Sequence, residues 1–441
     1  MVSAGHAATL RALRCFSPPT MRPGAIPLRT LAALAGIAAL LGTGFAAPAQ
    51  GQAADEKLRE ALAGALRGGG PGASAYVIDA DDGRVLFSSA GSTRRILASN
   101  AKLFTTAAAF DRFGADGAFK TEVLASGRVE DSVLDGDLYL KGGGDPTFGS
   151  SGFAGRSYGG GGSVEELARQ LELAGIERVS GRVLGDESRF DSRRGVPGSG
   201  YAVSIYIGPL SALAFDRGLT SSRGSAFARS PAGFAAGRLD AALEREGVSV
   251  RGAPGTGVAP ANAESLASVA SPPVSRLARI TNKPSDNFFA EMLVKDLGAA
   301  DGLTGTTARG TRKATSFARS LGSAPKLVDG SGLSRGNSAS PKSVVALLRG
   351  MRSHATFASF YASLPIAGRD GTLGGRMRSG PAAGNCRAKT GTLTNVSALS
   401  GYCRSRSGRT LAFSFLMNRV SPASARGVQD RMAQALAGYG N

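Results

Sequence analysis

The chain has 441 residues, 42% hydrophobic and 19% charged, far from the low-hydrophobicity, high-charge balance that keeps chains disordered, and at about 150 residues per domain its length excludes a single small module. Its 63 glycines follow no G-X-Y period, which excludes a collagen-like rod and implies loops. The formal charge of +19 favours anionic partners, but no basic run interleaved with aromatics, zinc-finger spacing or RNP signature points to nucleic acid; 42 arginines against 10 lysines read more simply as an arginine- and alanine-rich composition.

In chain order, residues 30–46 form an uncharged apolar stretch behind Arg11, Arg14, Arg22 and Arg29, followed by Ala47-Pro48-Ala49. That is the shape of an export signal over 1–49, with an uncleaved membrane anchor as the competing reading and Met21 as an alternative start. Either way the rest is expected to be exported and extracytoplasmic, and no later segment is apolar for long enough to span a bilayer. Residues 54–67 have helical spacing and end at GGGPG; SAYVIDADDGRVLFSS then alternates around Asp82-Gly83, a hairpin signal. Residues 99–113 (SNAKLFTTAAAFDRF) read as a helix starting at Ser99.

From 121 to 274 the character changes to short strands (EVLASGRV, DLYLKGG, GRVLGDES) with helices near 163–175 and 238–247, which reads as an inserted domain. Helical signal returns with SDNFFAEMLVKDLG, and the chain closes on strands near 386–392, 396–404 and 409–418 and a helix near 421–438. An α+β body, 54–120 plus 275–441, carrying a strand-rich insertion fits this order. Cys386 and Cys403 stand equally far from a turn at Thr394-Asn395, so a hairpin there would place them opposite one another for a disulfide, as an oxidising compartment allows. Two cysteines without a nearby histidine do not suit zinc.

Histidine is nearly absent: His6 lies in the leader and His354 in a polar stretch without a nucleophile motif. A hydrolase built on this chain must therefore find its base in a lysine or carboxylate. Ser99-Asn100-Ala101-Lys102 offers one arrangement, because i and i+3 share a helix face and a helix N-terminus favours an oxyanion beside Ser99. Lys102 can act as a base only if burial among Ile96, Leu97, Leu103 and Phe104, together with a second cation, lowers its pKa. Ser323-Ala324-Pro325-Lys326 repeats the spacing, but Pro325 would break the helix.

Ser285-Asp286-Asn287 and Lys389-Thr390-Gly391-Thr392 complete an ordered set that also occurs in penicillin-binding proteins and class A β-lactamases. Ser285 offers a hydroxyl for proton relay, Asn287 an amide to hold Lys102, and Lys389 a charge that would depress the pKa of Lys102. Gly391 would let a substrate backbone lie along the strand edge, the Thr392 N–H could complete an oxyanion hole, and the Thr390 and Thr392 hydroxyls would bind a carboxylate.

With these motifs the sequence resembles the D-alanyl-D-alanine carboxypeptidases and endopeptidases of the class C low-molecular-mass penicillin-binding proteins. The likeness extends over 55–440 through LKGGGDPTF, GDESRF, GPLSALAFDRG, VDGSGLSRGNSAS and LPIAGRDGTL. It implies a β-lactamase/transpeptidase-like domain, an antiparallel sheet with helices on both faces. It also implies Ser99 as the nucleophile acylated by the penultimate D-Ala carbonyl of peptidoglycan stem peptides, Lys102 as its base, and assistance from Ser285, Asn287 and Lys389. Thr390 and Thr392 would take the substrate carboxylate, and Asp186 of the D-x-S-x-F stretch would meet the amino end of the stem peptide. β-Lactams are expected as covalent inhibitors, no metal or cofactor is expected, and peripheral membrane or wall association suits the positive charge. The strand-rich tract that usually follows S-A-L is largely missing after Arg217, so the outermost subdomain of the insert is expected to be reduced.

Three alternatives compete. Fast class A β-lactamase turnover needs a glutamate between S-D-N and K-T-G; only Glu291, read as structural or supporting, precedes a stretch with no further glutamate. A non-catalytic wall-binding protein would not need every motif residue. A lipase-type esterase lacks both G-x-S-x-G and a partner histidine.

Overall fold

Thr410–Asn418 runs through the centre of the main body, and its alternate residues face two different cores. Phe413, Phe415 and Met417 pack on one side, Ala412 and Leu416 on the other. In this computed structural model, which describes residues 46–440 apart from 222 and 223, Ala49–Asn441 forms one compact unit. The segment up to residue 45, which holds most of the expected export signal and the alternative start at Met21, lies outside the described residues.

Five antiparallel strands lie in the order Cys386–Leu393, Val396–Arg404, Thr410–Asn418, Ala73–Asp79, Val85–Ser89. One face is covered by the helices Ala46–Leu66 and Pro422–Gly438, through Leu58, Leu62, Val428, Met432 and Leu436. The first of these starts eight residues before the helical spacing predicts. The opposite face carries Ala101–Phe113, Asn287–Ala299 and Pro341–Arg352, through Leu103, Phe104, Phe288, Phe289, Val344 and Leu348. An antiparallel sheet with helices on both faces is the architecture expected above, and burying apolar side chains on both sides at roughly 25 cal/mol per Å² is what holds it together.

The sheet ends on Cys386–Leu393, an edge strand. It pairs with Val396–Arg404 in a register that puts Cys386 opposite Cys403 and Leu393 opposite Val396. The turn falls at Thr394-Asn395, with Asn395 at φ 59°, and the two cysteines form the disulfide predicted from their spacing. On its outer side this strand is joined at its start by Pro365 and Ala367, through Ala388 N–H to Pro365 O (3.0 Å) and Ala367 N–H to Cys386 O (2.9 Å). The K-T-G-T stretch follows immediately.

The strand-rich tract folds around its own core, where Leu140, Val179 and Val183 meet Leu167, Leu171, Leu239 and Leu243 of the helices Val164–Leu173 and Pro231–Arg245. Its sheet is mixed: Arg178–Asp186 is central, with parallel neighbours in Leu138–Lys141 and Ser249–Thr256. The single strand read from EVLASGRV is two, Lys120–Ala125 and Arg128–Glu130. The break falls at Ser126-Gly127, where a Cβ on Gly127 would overlap the Asp135 carbonyl; the backbones cross too closely for a continuous strand.

Candidate active site

Ser99 sits in the 3-10 turn Ala98–Asn100 that leads into the helix Ala101–Phe113. The preceding Ala98 has φ 46°, a left-handed conformation that costs an alanine about 1–3 kcal/mol and persists only where its surroundings enforce it. The surroundings are visible. Leu97 N–H donates to Asn337 O (3.1 Å), Ile96 N–H to Asn418 Oδ1 (2.8 Å), and Asn100 Nδ2 to Lys389 O (3.0 Å). Three separate segments therefore pin the turn and leave Ser99 half-buried at the edge of the sheet.

Lys102 is fully buried, and its Nζ has three neighbours: Ser99 Oγ at 3.1 Å, Asn287 Oδ1 at 2.7 Å and Ser331 O at 2.7 Å. Two of these are carbonyl oxygens, which only accept. A neutral amine has two N–H donors and one lone pair; with both donors committed to the carbonyls, the lone pair faces the Ser99 hydroxyl. The Asn287 amide is oriented by its other end, where Nδ2 donates to Tyr206 O (3.2 Å). Burial lowers the Lys102 pKa to about 8, against the pull of Glu291, Asp286 and Asp329, whose charges favour the ammonium.

Of the two causes the sequence suggested, burial and a second cation, burial accounts for the lowering, and Lys389 is not among its causes. Lys389 is itself buried and held far below the ordinary lysine range, first by desolvation and then by the charge of Lys102. Its Nζ donates to Thr390 O (3.0 Å).

Asn287 opens the helix Asn287–Ala299, capped by Asp286, whose Oδ1 accepts from Phe289 N–H (3.0 Å). Ser285 stands just before the cap at φ 65°. Arg217, within the insertion, donates to both oxygens of Asp286 (2.6 and 3.2 Å) and lies 4.9 Å over the Phe288 ring. Thr390 Oγ1 donates to Thr372 Oγ1 (2.7 Å), and Thr372 is placed by its N–H to Lys283 O (2.9 Å), two residues before Ser285.

Glycine at 391 has a further reason. A Cβ there would stand 2.9 Å from Leu97 O and 3.1 Å from Ser99 N, so Gly391 lets the strand approach the nucleophile's own backbone. Asp186 ends the strand Arg178–Asp186 and is buried; its two oxygens accept from Ser188 N–H (2.8 Å) and Ala259 N–H (3.0 Å). A carboxylate so engaged pins two loops of the insertion, and we assign it no substrate contact. His354 bonds Thr356 and packs on Phe317.

Ser99, Lys102 and Asn287 are thus joined directly, Lys389 and Gly391 are tied to the Ser99 turn, and Ser285 stands at the Asn287 cap. The sequence reading left the Ser331 and Tyr206 carbonyls, Thr372 and Arg217 without roles, although VDGSGLSRGNSAS, LPIAGRDGTL and GPLSALAFDRG hold three of them. Among the described residues, no group of three His, Cys, Asp or Glu is placed to hold a metal ion, and no helix is long and apolar enough to cross a membrane.

The sequence pattern of the D-Ala-D-Ala carboxypeptidase 3 (S13) family matches residues 55–228 and 224–439. A D-alanyl-D-alanine carboxypeptidase of Actinomadura sp. (strain R39) is 32% identical, over 86% of this chain and 82% of the relative. A carboxypeptidase of Mycobacterium tuberculosis is 31% identical, over 98% and 91%. The crystal structure of penicillin binding protein 4 from Haemophilus influenzae superposes with a TM-score of 0.72 at 22% identity, covering 85% of this chain and 98% of that one; it shares the fold.

Proposed function

Since the chain belongs to the D-Ala-D-Ala carboxypeptidase 3 (S13) family, we propose that it removes the terminal D-Ala of peptidoglycan stem peptides through an acyl-enzyme on Ser99. The observation that carries this reading is the hydrogen-bond set of Lys102, whose lone pair is left for the Ser99 hydroxyl.

In acylation, Ser99 Oγ attacks the penultimate D-Ala carbonyl carbon while Lys102 Nζ takes the hydroxyl proton. The C–N bond then breaks, and the leaving amine receives a proton relayed through Ser285. D-Ala departs, and water attacks the ester to regenerate Ser99. The N–H groups of Ser99 and Thr392 stabilise the oxyanion, a contribution worth about 10²–10³ in rate for one donor. The Thr390 and Thr392 hydroxyls receive the terminal carboxylate, with Thr372 orienting Thr390. The substrate's extended backbone lies along the outer edge of Cys386–Leu393, adding a strand to the sheet.

Penicillin would acylate Ser99 by the same steps and leave slowly, since no glutamate follows Glu291 to activate a deacylating water. The enzyme works outside the cytoplasm, and its positive charge suits an anionic wall surface; such binding would weaken in salt. Incubating wild type and Ser99→Ala with a fluorescent penicillin, then with a stem pentapeptide and a cross-linked dimer, tests the reading. Label and free D-Ala are expected from wild type alone. D-Ala release by Ser99→Ala would overturn it, and cleavage of the dimer would add endopeptidase activity.

A further inference from the structure

Behind Lys102 lies a buried carboxylate that the reaction does not consume. Glu291 is one turn beyond Asn287 on the same helix and fully buried. Its Oε1 accepts from the N–H of Gly330 (3.0 Å) and of Ser331 (2.7 Å). The carbonyl of that same Ser331 is one of the two oxygens that hold Lys102 Nζ. One residue is thus gripped from both sides, by the carboxylate at its N–H and by the amine at its C=O. Oε2 of Glu291 has no hydrogen-bond partner among the described residues, so its link to the site runs through Oε1.

The charges around it come from each neighbouring element. Lys102 faces it from the helix Ala101–Phe113, and Asp329 from the loop that contains Ser331. Lys295, paired with Asp191, lies one turn further along its own helix, with Asp286 at that helix's cap. Asp329 is in turn fixed by Gly332 N–H (2.8 Å), Ser334 N–H (2.6 Å) and Asn337 Nδ2 (2.7 Å). Burial raises both carboxylates above their ordinary range, and the charge of Asp329 raises Glu291 further. Of the three carboxylates that favour the Lys102 ammonium, Glu291 acts most strongly.

We infer that Glu291 is a positioning residue for Lys102: its Oε1 fixes the Ser331 carbonyl that turns the amine's lone pair toward Ser99, and its charge governs how readily Lys102 gives up its proton. This rests on Lys102 being the base in the proposed reaction. An ionised Glu291 makes the ammonium easier to form when Lys102 takes the Ser99 proton, and also keeps Lys102 protonated to higher pH. Neutralising it has the opposite effect on both counts.

The test is the second-order rate of Ser99 labelling by a fluorescent penicillin across pH 6–10, with melting temperatures, for wild type, Glu291→Gln and Glu291→Asp. Glu291→Gln keeps an oxygen for the two N–H groups and removes the charge; its pH midpoint should move down by about one unit and its plateau should fall. Glu291→Asp keeps the charge but withdraws the oxygen from the loop; its midpoint should stay and its plateau should drop about tenfold or more. A folded Glu291→Gln whose profile superimposes on wild type overturns the charge role. Should Glu291→Gln fail to fold, Glu291→Asp decides: an unchanged plateau there overturns the positioning role. A Ser99→Ala control separates these outcomes from failure of the underlying reading, since label on that variant would remove Ser99 as the nucleophile whatever Glu291 does.

Discussion

Gly332 packs so closely on Ala98 that a Cβ at 332 would overlap the Ala98 carbonyl, with the Ser99 nitrogen 2.9 Å away. Gly332 also has φ 88°, which an L side chain adopts only under strain. The loop bearing the Ser331 carbonyl is therefore seated directly on the turn bearing the nucleophile, and the contacts of Lys102 with Ser99 and Ser331 depend on that seat. Gly332→Ala should destabilise the fold by about 1–3 kcal/mol and lower the rate of Ser99 acylation more than tenfold. Thermal melting and penicillin labelling check it, and a variant with normal labelling would show that the seat is dispensable.

Arg217 reaches from within the insertion to both oxygens of Asp286, and the two side chains are 22% and 18% exposed. Asp216 and Arg217 both have positive φ, at 47° and 60°, so the backbone is held in an unfavourable form to deliver this fork. Arg217→Ala should cost about 2 kcal/mol, the scale of a hydrogen bond to a charged partner, and slow acylation by loosening the cap of the Asn287 helix. Arg217→Lys should not restore the rate, because an ammonium cannot span both oxygens. Equal rates for the lysine variant and wild type would contradict this.

The pH dependence follows from the sign of the Lys102 shift. The amine is the reactive form, and burial lowers its pKa to about 8. Acylation should rise with pH, reach half its plateau near that value, and be about 100-fold below the plateau at pH 6. Stopped-flow labelling across this range is the check; a rate that is flat, or that falls between pH 6 and 9, would argue against a lysine base.

Cys386 and Cys403 close a loop with a sequence separation of 17, for which chain entropy gives about 3 kcal/mol. Cys386→Ser/Cys403→Ser should therefore melt lower than wild type. Labelling should survive at temperatures where the variant is folded, because Lys389 is tied to Asn100 independently of the disulfide. Identical melting with and without the bond would contradict the entropic account.

The parts of this site that were legible in the sequence are those in which side-chain chemistry and spacing coincide. Ser99 and Lys102 are one helical turn apart, Asn287 follows its cap, and the two cysteines flank a turn at equal distances. The Ser331 and Tyr206 carbonyls were not legible, because a backbone oxygen is supplied by any residue and only the fold brings it to Lys102. The same limit hid a second constraint on Gly391, a backbone 292 positions away in sequence at Ser99. It also led Lys389 to be read as a charge acting on Lys102, when both amines are buried and the charge of Lys102 acts on Lys389 instead. In the insertion, alternation located strands but could not show that Asp186 turns inward onto Ser188 and Ala259.

The most direct measurement is the mass of the intact protein, and of its Ser99 peptide, after brief exposure to benzylpenicillin, for wild type, Ser99→Ala and Lys102→Ala. One covalent adduct on Ser99 is expected in the wild type, none in Ser99→Ala, and formation at least about 10³-fold slower in Lys102→Ala. An adduct on another residue, or acylation of Ser99 at the wild-type rate without Lys102, would contradict the account.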